Sequence, residues 1–201
     1  MDASSMATPV VDVLRGPGPW ISVSARRLGP AAWAQRPRRG ACVITSVPDM
    51  EITDTPRTPA ERKRRLLERL ERERDVWVAT ADGAGVPCLV ALWFAWDGRA
   101  LWVSTRLTNP TGRDLRQVGR ARVAFGDTRD LVLVDGEVDA FPAPEAPEAA
   151  VAGLRAKYGW DPRGDSASYA FYRIRPRTVQ AYRGEHEMCG RFLMRDGVWV
   201  V

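Results

Sequence analysis

Short β-rich runs separated by tight glycine turns constrain this chain more than any other feature. Val76 to Ala81 is β-rich, Asp82-Gly83-Ala84-Gly85 reads as a turn, and Val86 to Trp96 is a long second run. Asp97-Gly98 is a hairpin turn of the kind that needs positive φ, and Ala100 to Thr105 is a third run. Connections this short force antiparallel neighbours, because a parallel pair needs a long crossover. A helix is expected over Pro110 to Val118, followed by strands Ala121 to Phe125 and Leu131 to Phe141, the latter with Gly136 as a bulge or close backbone approach. Pro142 to Pro147 breaks the pattern. A second helix runs from Pro147 to Tyr158, with Val151, Leu154 and Tyr158 on one face, and Gly159 to Gly164 is a loop. Tyr169 to Arg175 reads as a strand ending at Pro176. Thr178 to Tyr182, Phe192 to Met194 and, past Asp196-Gly197, Val198 to Val201 complete a set of about seven strands. The expectation is a mainly β, α+β fold: a closed or partly open antiparallel barrel with a few flanking helices, not a doubly wound sheet.

Residues 1–57 differ from the rest. They are rich in Ala, Pro, Arg and Ser without sustained periodicity, and the expectation is a disordered or loosely attached N-terminal extension. The segment around Arg26, Arg27, Arg36, Arg38 and Arg39 is poor in acids and has the look of a transit peptide; a translation start at Met50 explains the lack of pattern equally simply. The domain then covers 58–201. It opens with Thr58-Pro59-Ala60-Glu61, a capping-box spacing with Pro at the first helical position. Leu66, Leu67 and Leu70 make an apolar stripe, and the i,i+4 pairs Glu61/Arg65, Arg64/Glu68 and Glu68/Arg72 point to a solvated helix, not a nucleic-acid face.

The 201 residues are 45% apolar, enough for a substantial core, and no apolar run is long enough to span a bilayer. The net charge of +5 is spread over alternating arginines and carboxylates, so neither a nucleic acid nor a membrane is an expected partner. Three scattered cysteines, Cys42, Cys88 and Cys189, with no CxxC point to a reducing compartment and hence a cytoplasmic location. The single histidine, His186, lies three residues before Cys189; two ligands do not make a metal site, and HExxH is not matched. Dinucleotide, P-loop and nucleophile-elbow signatures are absent. Asp135, Glu137 and Asp139 alternate along one strand, which is how a solvent-facing side looks. Trp77, Trp93, Trp96 and Trp102 fall on the first three strands and should be core or interface, with one or two free to pack against a planar ring.

Leu101 to Leu115, LWVSTRLTNPTGRDL, carries the most chemistry. Asn109 before Pro110 is a helix-start signal, and a helix beginning there aims free N–H groups and its positive dipole end at the strand exit. Ser104, Thr105, Thr108 and Thr111 add hydroxyls, and Arg106 and Arg113 add charge, as a phosphate site would need. An ordinary capped helix with solvated arginines accounts for the same residues.

Taken in order, the opening helix, WVATADGAGVPCLVALWFAWDGRALWVSTRLTNPTGRDL at 77–115 and LVLVDGEVDAF at 131–141 resemble the pyridoxamine 5′-phosphate oxidase-like, FMN-binding split-barrel family. The carriers are the ATxDGxGxP hairpin at Ala79 to Pro87, LWFxxDGxxLWVST at Leu92 to Thr105, the Thr-x9-Leu spacing from Thr105 to Leu115, and VxGE at Val134 to Glu137. The resemblance implies a six-stranded antiparallel split β-barrel forming a homodimer, with a flavin in each of two interface clefts. It also implies a phosphate held by hydroxyls at the end of the third strand and basic residues of the next helix. Ser104 and Thr105 match the strand-end pair; Asn109 and Thr111 stand where relatives often carry Ser and Lys. The missing lysine leaves Arg106 and Arg113 to supply charge. Val90 to Trp93 is wholly apolar and lacks the basic residues of the true pyridoxamine phosphate oxidases, so that reaction is not expected. What is expected is an FMN-dependent or deazaflavin-dependent oxidoreductase acting on a small-molecule substrate, with Leu92 and Trp93 flanking the ring and no obligatory catalytic side chain. A non-catalytic flavin- or haem-binding or sensing split-barrel protein is the alternative.

Overall fold

A computed structural model describes residues 55–165 and 168–201. Nearly all of the N-terminal extension, with the Met50 start, therefore lies outside the described residues. Helix α1 (Pro59–Arg72) starts as its capping box predicts: Thr58 accepts from the Glu61 N–H, and the Glu61 carboxylate accepts from the Thr58 N–H. Leu66 and Leu70 are buried, and Arg64 and Glu68 pair in solvent. The helix is not solvated all along its basic face, however, because Arg62 and Arg69 are buried. Their guanidiniums donate to main-chain oxygens, Arg62 to Ala181 at 3.1 Å and Arg69 to Asp130 at 3.0 Å. A five-donor group can be buried where it satisfies carbonyls at strand ends.

Eight strands follow: β1 (Asp75–Ala81), β2 (Pro87–Trp96), β3 (Leu101–Arg106), β4 (Arg120–Phe125), β5 (Asp130–Pro142), β6 (Tyr169–Arg183), β7 (Phe192–Arg195) and β8 (Val198–Trp199). Helix α2 (Pro110–Val118) joins β3 to β4, and α3 (Glu148–Tyr158) lies between β5 and β6. The hydrogen-bonded order is β3-β2-β1-β4-β5-β6-β7-β8, and β3 also pairs with β6. That closure makes β1 to β6 an antiparallel six-stranded barrel, with β7 and β8 added outside β6. Alternate residues point inward, among them Val76, Val78, Phe94, Leu101, Val103, Val123, Val134, Tyr172 and Ile174. A second, smaller apolar cluster lies outside the barrel, where Ala150, Val151 and Leu154 of α3 cover Ala95, Trp102 and Phe171.

Two expectations change. Pro176 does not end a strand; β6 runs unbroken from Tyr169 to Arg183. Pro176 sits opposite Gly136 where the β5–β6 register shifts, so the missing proline N–H falls at a bulge where no ladder bond is lost. The extra residue of the bulge is Arg177 on β6, and Gly136 opposite it is the close backbone approach the sequence allows for: a Cβ there would lie 2.6 Å from Ile174 Cγ2 and 2.8 Å from the Arg175 carbonyl. The second change is the capping of α2, where the Asn109 side chain makes no cap bond.

β2 and β3 pair only from Phe94 to Trp96 against Leu101 to Val103. Beyond Phe94, β2 stays with β1 while β3 stays with β6 out to Arg106↔Tyr169. The barrel is split there.

Candidate functional site

The split opens into a groove of about 590 Å³ that contains Leu92, Trp93, Ser104, Thr105, Arg106 and Asn109, six of the eight residues expected at a site. Strand parity explains which groups face it. The Tyr158 hydroxyl accepts from the Phe94 N–H at 3.0 Å and reaches the Phe94 and Arg74 carbonyls, so the Phe94 main chain points toward β1. Backbone direction alternates along a strand, so the N–H and C=O groups of Leu89, Ala91 and Trp93 point the other way, into the opening that β3 has left. Burial pushes the Tyr158 phenol up, which keeps the hydroxyl protonated as a donor.

The other end of the groove is the β3 exit and the start of α2. The Ser104 hydroxyl donates to the Ala170 carbonyl at 3.0 Å, which commits its proton. Thr105 Oγ1 accepts from Asn109 Nδ2 at 3.0 Å, so the Thr105 proton remains available for an anion. Because Asn109 turns back to Thr105 and does not cap, the first N–H groups of α2 have no side-chain acceptor from that residue. The approach of α2 to β3 requires Gly112: a Cβ there would lie 2.3 Å from the Arg106 carbonyl, and Tyr172 donates to the Gly112 carbonyl at 3.0 Å. Arg106 lies 5.4 Å over the Tyr169 ring, with Nε 3.4 Å from that hydroxyl.

Thr111 and Arg113 are not among the residues lining the groove. Thr111 is buried, with its hydroxyl 3.3 Å from Cys88 Sγ; Arg113 is exposed and donates to the Thr108 carbonyl at 3.2 Å. Asp75, Ala91, Trp160 and Tyr169 line the groove without having been singled out in sequence. Asp75 and Ala91 follow from parity, since Asp75 pairs with Trp93 and Trp77 with Ala91. Tyr169 is placed only by the β3–β6 closure, and Trp160 only by the docking of α3.

A larger hollow of about 680 Å³ lies on the outer face of β1, β4 and β5. Within it Arg122 lies 2.6 Å from Asp135 and Arg177 3.6 Å from Glu137. His186 sits in a single turn after β6, outside the residues lining either cavity. Among the described residues no three His, Cys, Asp or Glu side chains form a group suited to a metal. No described helix is long and apolar enough to cross a membrane.

The family model for pyridoxamine 5′-phosphate oxidase matches residues 63–183, which include every residue lining the groove. The chain belongs to this family. Solved structures share the barrel described here. HutZ, the haem storage protein of Vibrio cholerae, is 13% identical over 63% of this chain and 98% of its own, with a TM-score of 0.54. A haem-binding protein of Mycobacterium smegmatis is 19% identical over 72% of this chain and 60% of its own, with a TM-score of 0.53. An F420 reductase is 26% identical over 56% of this chain and 93% of its own, with a TM-score of 0.48. No curated protein sequence matches. For this oxidase-family chain the likenesses to the two haem proteins establish the barrel.

Proposed function

We propose that this protein is an oxidoreductase that uses FMN, or alternatively a deazaflavin coenzyme, to transfer hydride to or from a small-molecule substrate. The observation that supports this most is the two-ended groove. One wall offers a row of backbone donors and acceptors beside an exposed indole, and the far end offers Thr105, Asn109, Arg106 and the start of α2. A planar ring with polar edges joined to a phosphate has this bipartite character. Thr111 and Arg113 extend the anion end by position on α2, with Arg106 contributing the larger share because it lines the groove. When bound, a flavin or deazaflavin supplies the hydride chemistry. The chain's part is to bind the phosphate, hold the ring edge against the Leu89 to Trp93 main chain, and exclude water through Leu92 and Trp93.

A homodimer with the cofactor at the interface fits the surface. Trp77, Leu89 and Trp93 are 52%, 61% and 45% exposed on the outer face of β1 and β2, next to the groove. Apolar side chains grouped in this way are normally covered by a partner.

Titrating the purified protein with FMN and with a deazaflavin coenzyme tests the reading directly. Micromolar binding, weakened in Arg106→Ala, and a solution mass of two chains are expected. Failure of both coenzymes to bind at micromolar concentration overturns it. Steady-state oxidation of a reduced nicotinamide or deazaflavin with an acceptor separates an enzyme from a non-catalytic carrier.

A further inference from the structure

Trp93 lines the groove and is 45% exposed, with one face on the Tyr158 ring, 4.6 Å away and within 4° of parallel; Tyr158 is not a lining residue. Trp160 stands edge-on to Trp93, with centroids 6.0 Å apart and planes at 77°, and edge-on to Tyr169 at 5.4 Å and 75°. Three aromatic side chains thus form a corner at the outer side of the β2 edge. The Tyr158 hydroxyl is tied to the Phe94 main chain, and just after Trp160 the Arg163 side chain pairs with Asp161 at 2.8 Å and with Glu148 of α3 at 2.7 Å.

We propose that this corner is a subsite for a planar aromatic ring, and that Trp160, delivered by the segment between α3 and β6, is the wall that meets the edge of the bound ring. The face of Trp93 away from Tyr158 takes the ring in offset stacking, and the edge of Trp160 meets its perimeter, the two preferred arrangements of aromatic pairs. Arg106, over Tyr169, marks the border between this subsite and the anion end. The inference rests on the groove being the ligand site, but it concerns the ring half alone and does not depend on which ring is bound.

The test uses the full chain and three probes followed by their own absorbance: riboflavin, which has the ring without phosphate, FMN, and haemin. Inorganic phosphate serves as a competitor against FMN. For each ring that binds the natural protein, Trp160→Leu is expected to raise Kd about 10-fold and Trp160→Phe less than about 3-fold, the scale of one aromatic contact. Phosphate competition should stay unchanged. If Trp160→Leu lowers the thermal midpoint, Tyr169→Leu removes the opposite wall and must show the same selective loss. FMN affinity unchanged in these variants overturns the subsite while leaving the cofactor reading intact. If haemin binds and neither flavin does, the flavin reading falls and the haemin series alone decides the subsite. If no ring binds the natural protein, the subsite is overturned.

Discussion

The barrel has one seam that is tightly fastened and one that is left open. At the fastened seam β5 and β6 pair from Asp130↔Arg183 to Pro142↔Ala170, and ionic groups bind the end of that ladder to the chain before α1. The Glu187 carboxylate, almost fully buried, accepts from the Arg57 N–H at 2.8 Å, from its guanidinium at 2.7 and 2.9 Å, and from the Arg183 N–H at 2.6 Å. Asp130 pairs with the same Arg57 at 2.9 Å. At the open seam β2 and β3 share three residue pairs and then part. A barrel with all edges zipped has no backbone to offer a ligand. Here the closed side is zipped along its length, and the β2 edge beyond Phe94 is left without β3 as a partner.

Glu187→Ala should break the fastened seam most severely. It leaves Arg57 with Asp130 alone and two main-chain donors without an acceptor in a buried place, and urea denaturation should show a loss of about 3–5 kcal/mol, the range for removing one partner of a buried pair. Acid probes the same group. Burial pushes Glu187 up, but the hydrogen bonds from Arg57 and from the N–H groups of Arg57 and Arg183 outweigh it, holding the carboxyl at about 2, below its usual 4.5. Because the folded value is the lower one, its contribution is complete above pH 4.5 and disappears as the pH falls toward 2. Glu187→Gln should therefore flatten the stability profile across that window, and an unchanged acid slope would show that other carboxylates control it.

At the open seam, Gly112→Ala sets a methyl group against the Arg106 carbonyl. A cost of about 1–3 kcal/mol is expected from such overpacking, together with weaker FMN binding as α2 shifts from β3. Tyr158→Phe removes the hydroxyl that ends the β1–β2 ladder, and thermal unfolding should register about 1–2 kcal/mol for the Phe94 N–H left without a partner. The smallest structural effect belongs to Arg106→Ala, an exposed side chain. Its stability should change by less than about 0.5 kcal/mol. FMN affinity should fall about 10-fold, as for loss of one charge-assisted phosphate contact. Arg113→Ala should weaken FMN by a smaller factor than Arg106→Ala; the reverse order would place the phosphate on the exposed side of α2.

Local rules carried far along this chain. Asp97-Gly98 and the Thr58 capping box depend on neighbours a few residues away, and each appears where its residues predict. The candidate anion end was legible for the same reason: Ser104, Thr105, Arg106 and Asn109 lie on one strand exit and the helix start that follows. Pro176 misled because a proline ends a strand only if its N–H is needed, and the bulge beside it on β6 had removed that need. Arg62 misled because charge spacing on α1 cannot reveal carbonyls that arrive from Ala181 and Glu187, more than a hundred residues later.

By itself the sequence determined the strands, the turns between them, and the polar and basic residues at the end of β3, because sterics and hydrogen bonding within a few residues decide those. Only the tertiary structure decided that β3 leaves β2 for β6. That departure brings Tyr169 to the groove and, with the docking of α3, Trp160, since closure of a barrel depends on the register and twist of all six strands together.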